Sequence, residues 1–222
     1  MRLGCFPLLV ALVLMMILPW IFADLMTAAL LKLQIAPETA TLIVAGILIG
    51  SLINVPVKRI ERKELVPVDP FALFGLGGQW FEIGRARKET VVAVNVGGCV
   101  MPASLASYEA LLLAPAGPVL ALMAAILLNV FVCYRLARPV GGVGILMPGM
   151  VPPLIAASSA LLLAPEHATP VAFIAGTLGP LVGADLLHLR EVQQMDTGIV
   201  SIGGAGTFDG ILLSGIVALY LS

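Results

Sequence analysis

The sequence predicts an all-helical integral membrane protein of about seven spans, and three observations carry that reading. Of 222 residues, 60% are hydrophobic and only 11% are charged. The mean hydropathy of +1.08 lies far above that of a water-soluble domain. Apolar runs close to the length that crosses a hydrocarbon core of about 30 Å recur along the whole chain. The basic residues, finally, sort by connection: all but Lys32 of the 12 Lys and Arg fall on one side of an alternating topology.

The first span is placed at residues 4–23, after Arg2. It has no clear small-residue cleavage site and reads as a retained span, and Cys5 follows no apolar stretch of the kind a lipoprotein signal needs. Residues 24–38, DLMTAALLKLQIAPE, read as a short interfacial helix on the far face. Spans two to seven follow at 39–57, 90–110, 117–134, 141–163, 169–189 and 199–221. Lys58, Arg59, Arg62, Lys63, Arg85, Arg87 and Lys88 lie between spans two and three, Arg135 and Arg138 after span four, and Arg190 after span six. With Arg2 they set the N-terminus in the cytoplasm and the C-terminus outside. The chain is one polytopic membrane domain. Its segment 58–89 is a cytoplasmic flap whose Phe71, Phe74, Trp80 and Phe81 suit the headgroup level, serving as a lipid-touching loop or a lid over substrate.

Several classes fall away. A net charge of -1 with basic residues gathered by side makes no case for nucleic acid. Cys5, Cys99 and Cys133 are an odd number inside apolar runs, so no disulfide framework or zinc knuckle follows. Asp185, His188 and Glu191 have ligand-like spacing, but one short stripe is weak ground, and neither a metal nor a cofactor is expected. PASLASYEALLLAP (102–115) and PPLIAASSALLLAP (152–165) agree in their last six positions, a candidate duplication in Ala/Leu-rich sequence.

Most acids sit at span ends or in connections, and Glu109 falls near the outer end of span three. Asp185 and Asp209 remain, in consecutive spans. An ionisable group in hydrocarbon costs from about 2.5 to more than 10 kcal/mol, so each should face the bundle interior or a wet cavity. In straight helices Asp185 would lie about 7–8 Å from the cytoplasmic surface and Asp209 about 15 Å deep, at about 1.5 Å per residue. They can meet if Gly203, Gly204 and Gly206 form a non-helical turn that brings the last helix back toward the cytoplasm, with Thr207 as its N-cap and Asp209 in its first turn. Gly183, Asn95 and His188 are the other residues expected to shape the site.

VNVGGCVMP, GTLGPLVGADLLHL and SIGGAGTFDGI occur in this order, and on them the chain resembles the bacterial and archaeal membrane proteins grouped as domain of unknown function 1614. That resemblance implies the plasma membrane and carries no mechanism. More loosely, the sequence is similar to the presenilin and signal-peptide-peptidase group, whose catalytic aspartates lie on the sixth and seventh spans. It departs from them in the two residues between Gly206 and Asp209, in GAD at Asp185, and in having no later Pro-Ala-Leu. What it implies is di-aspartyl cleavage of transmembrane or membrane-proximal peptides by Asp185 and Asp209. Without that resemblance, the same two acids suit a proton- or sodium-coupled transporter of small solutes. Membrane lipid is the expected partner in either case.

Overall fold

In the computed structural model the described residues are 5–68, 82–140, 144–194 and 199–222. The chain is mostly helical. Three of its helical rods, Val96–Ala116, Val119–Leu136 and Pro165–Glu191, are long and apolar enough to cross a membrane, and four shorter apolar helices, Ile17–Leu31, Pro37–Gly50, Val151–Leu163 and Gly210–Leu221, join them among the described residues.

Helix α1 (Cys5–Leu31) runs through Asp24 without a break. The separate interfacial helix expected at 24–38 therefore does not form, because LMTAALL contains only residues a helix accepts readily. A turn with Gln34 at φ 60° follows, and α2 (Pro37–Gly50) opens on a proline whose missing N–H costs nothing in a first turn.

The main correction to the all-helical expectation comes next. The chain turns after Gly50 and forms β1 (Asn54–Val68), which pairs antiparallel with β2 (Glu82–Asn95) from Asn54↔Asn95 out to Val68↔Glu82. The ends of expected spans two and three are thus strands. TVVAVN (90–95) is an apolar run of β-branched residues, and hydropathy alone does not distinguish such a run from the start of a buried helix. The register shifts between Pro56 and Lys58, where proline has no N–H to give the ladder. Residues 58–68 and 82–89 of the expected flap form the outer part of this ribbon, and Phe71, Phe74, Trp80 and Phe81 lie outside the described residues.

A π-helical turn, Val96–Val100, leads into α3 (Met101–Leu113), and α4 (Val119–Leu136) follows. A short hairpin of β3 (Arg138–Val140) and β4 (Gly144–Leu146) connects α4 to α5 (Val151–Leu163). The two stretches that resemble each other in sequence share a local structure: 13-residue helices with an early proline, each followed by a 3-10 turn of three residues. Helix α6 (Ala168–Leu178) passes into a π-helical stretch, Gly179–Leu186, where Pro180 cannot supply its backbone bond, and ends before the short α7 (Leu189–Gln194). Strand β5 (Ile199–Ile202) then joins the sheet parallel to β2, from Val91↔Ile199 to Val94↔Ile202, and α8 (Gly210–Leu221) closes the chain. The expected seventh span is therefore strand, turn and short helix.

Helix α6 is the centre of the bundle, with α3, α4, α5 and α8 packed against it and Val171 to Thr177 buried throughout. Lipid tails are as apolar as leucine, so close approach between helices depends on small residues. Gly176 meets Ser214 and Gly215 of α8, while Gly179 rests on the Asn129 side chain. Asn129 is fully buried and donates to the Ala175 carbonyl at 2.8 Å, a polar tie between α4 and α6. Leucines such as Leu111, Leu120 and Leu162 point outward. For the site, the sheet order β1-β2-β5 matters most: it ties the end of α2, the start of α3 and the approach to α8 to one end of the bundle.

Candidate functional site

Two strand-to-helix elbows meet at that end. In one, β2 passes through Val96, Gly97, Gly98 and Cys99 into α3; in the other, β5 passes through Gly203 to Gly206 into α8. They touch backbone to backbone. A Cβ on Gly98 would run into the carbonyl oxygen of Gly203 and stand 2.8 Å from that of Gly206. Gly203 adopts φ +70°, and a Cβ there would lie 2.7 Å from the Cβ of Cys99. Gly206, at φ +63°, faces Ser51 equally closely. Both of these positive-φ turns need glycine for conformation as well as for space. Gly204 sits against Ser201 of its own turn.

Asn95 holds the elbows to the sheet. It is fully buried, its Nδ2 donates to Ser51 O at 2.8 Å and to Asn54 Oδ1 at 3.2 Å, and its Oδ1 accepts the Gly98 N–H at 2.7 Å. Ser201 Oγ donates to the same Asn54 Oδ1 at 2.6 Å. All three strand ends thus share one polar network. Asn95→Ala leaves the buried Gly98 N–H without an acceptor, and a loss of about 2–4 kcal/mol is expected from thermal or denaturant melting of the purified protein.

Asp209 lies at the mouth of the second elbow. Its Oδ1 accepts from Ile211 N–H at 3.0 Å and its Oδ2 from Ala205 N–H at 3.4 Å, so it is itself the N-cap of α8. This corrects the expected cap: Thr207 belongs to the 3-10 turn Gly206–Phe208, and the helix starts after the aspartate. Asparagine caps as well as aspartate does. Asp209→Asn should therefore melt close to the wild type, while Asp209→Ala should lose about 1 kcal/mol.

Asp185 stands on the π-helical stretch, half-buried like Asp209. It lies near enough to the Gly203 amide and to Asp209 for both to act electrostatically on its carboxyl. Buried Cys99 lies near enough for both carboxylates to act on its thiol electrostatically. The fold therefore gathers Asp185, Asp209, Gly203, Gly204, Gly206 and Asn95 around the paired elbows.

Gly183 and His188 are not in this group. Gly183 packs on Val130 and Cys133 of α4. His188, 6% exposed, uses Nδ1–H to donate to Ala184 O at 3.0 Å and lies beside the Tyr134 ring, with centroids 4.9 Å apart. His188 follows the end of the π-helical stretch at Leu186. Glu109, expected at an interface, is 5% exposed. Sequence reasoning missed Cys99, Ser51, Asn54 and Ser201. Their signal was the likeness of VNVGGC (94–99) to VSIGGA (200–205), two strand ends with one order of residue types. Among the described residues, no group of three or more His, Cys, Asp and Glu is placed to hold a metal.

A mostly helical membrane protein with a β-ribbon and two strand-to-helix elbows at one end is the class this architecture defines. The chain belongs to the family described as Protein of unknown function (DUF1614), whose profile matches residues 48–221. No curated protein and no solved structure matches the chain, so the presenilin-type reading stands on the two aspartates alone.

Proposed function

We propose that the protein is a di-aspartyl intramembrane peptidase, with Asp185 and Asp209 sharing one proton at the cytoplasmic end of a seven-span bundle in the plasma membrane. What supports this reading is that Asp185 lies near enough to Asp209 to feel its charge, while Asp209 is anchored on the Ala205 and Ile211 amides. Two carboxyls so placed act as base and acid together. One takes a proton from water as its oxygen bonds to the scissile carbonyl carbon. The other hydrogen-bonds the carbonyl oxygen and then protonates the leaving nitrogen as the C–N bond breaks. The pair, rather than either residue alone, holds the proton.

The sheet favours a peptide over a small solute. Strand β5 is an edge in the order β1-β2-β5, and its Ile199 is 72% exposed. An extended peptide added to that edge would gain backbone hydrogen bonds and be led along the strand toward the aspartates. The topology is supported by the one-sided basic residues and by the sheet, which joins the end of α2 to the starts of α3 and α8, as alternating spans require.

The second reading is a proton- or sodium-coupled transporter, favoured by the π-helical break in α6 beside the non-helical approach to α8. Purified protein in liposomes separates the two. Cleavage of a transmembrane peptide, lost in Asp185→Asn and in Asp209→Asn, is the result expected. Solute-dependent proton or sodium flux without cleavage would replace the peptidase reading by the transporter.

A further inference from the structure

We infer that the end of the bundle opposite the sheet binds a small organic ammonium compound, centred on Glu109. The end of α1, the end of α3 and the start of α6 enclose a cavity of about 300 Å³ there, lined among others by Lys32, Glu109, Leu113, Ala116 and Glu166. Glu109 is 5% exposed, and its Oε1 has no hydrogen-bond partner. Such an oxygen is costly unless a donor reaches it, and a carboxylate is best met by a charged one.

Lys32 is not that donor. Its Nζ donates to Leu219 O at 2.6 Å and to Tyr220 O at 3.4 Å, the last carbonyls of α8, and stands 5.8 Å from the centre of the Tyr220 ring. Its charge therefore serves the C-terminal end of that helix dipole. Two carboxylates, Glu109 and Glu166, then line the cavity together with His167 and one lysine already engaged, so the acidic groups of the lining are open to a cation. With no metal-holding group among the described residues, the cation that fits is one bringing its own N–H donors. Leu113 and Ala116 give it an apolar wall for a short alkyl chain, and the volume is at the small end of ligand sites.

Isothermal titration of the full-length protein in detergent with n-butylammonium chloride tests the inference. Saturable binding is expected that neither 1-butanol nor sodium chloride reproduces at the same concentrations. Glu109→Gln, which keeps the shape and removes the charge, should weaken binding at least about tenfold. Ala116→Trp, at an exposed position of the cavity wall, should do the same by filling the space, and it carries the test if the glutamine variant does not fold. The inference is overturned by heats that do not saturate, by an equal response to butanol or sodium chloride, or by unchanged affinity in either folded variant. The readout is binding alone at the end away from the aspartates, so its outcome is independent of whether peptide is cleaved.

Discussion

Asp185→Asn is expected to lower peptide cleavage at least about 10³-fold while leaving the melting profile close to that of the wild type. The asparagine keeps the size of the side chain and, through its Oδ1, an acceptor beside the Gly203 amide. It cannot take a proton from water or pass one to the leaving nitrogen. Asp209→Asn is expected to behave alike, because the amide retains the bond from Ile211 N–H that caps α8. Since the two acids act as one unit, the double variant should be no slower than either single one. Cleavage rates of all three, with melting curves alongside, check the expectation; additive losses would mean that the acids act separately.

Gly98→Ala is expected to be severely damaging, costing about 3 kcal/mol or more in thermal or denaturant melting. The atoms its Cβ would meet are the Gly203 and Gly206 carbonyl oxygens. These are backbone, so no side chain can rotate away and the elbows must part. Parting them also pulls Gly98 N–H from Asn95 and moves Gly203 off Asp185, so stability and cleavage should fall together. Gly210→Ala is the matched control: it lies one residue after Asp209, and a Cβ there has open space around it. Equal melting of the two variants would show that the elbows are not in close contact.

Hydropathy located the helical rods, since each apolar run has a strong composition and a period a helix accommodates. It could not locate the ribbon. In TVVAVN and NVPVKRI the β-branched residues are both apolar and strand-forming, and only pairing with a partner segment distant in sequence decides between helix and strand. Asp185 and Asp209 stood out in the sequence because an acid in an apolar segment has few inexpensive surroundings. The glycine turn before Asp209 was legible too, from the density of Gly203, Gly204 and Gly206. Its cap was misplaced by two residues, because threonine and aspartate are both good caps and the 3-10 turn between them is not visible in composition. The packing of His188 on Tyr134 was not legible, because helical spacing assumes 3.6 residues per turn and the π-helical stretch Gly179–Leu186 just before it departs from that. Asn95 was expected near the site, whereas Cys99 joined it only when the parallel pairing of β5 with β2 brought the second elbow onto the first.

The central claim is that the two carboxyl groups share a proton, and a carbon–carbon distance tests it most directly. Solid-state NMR of the protein in lipid bilayers, labelled at the aspartate side-chain carboxyl carbons, measures the separation between Asp185 and Asp209. Direct proton sharing or a single bridging water requires a separation under about 6 Å, and that is the result expected. A separation of about 10 Å or more, too far for one water to bridge, would contradict it.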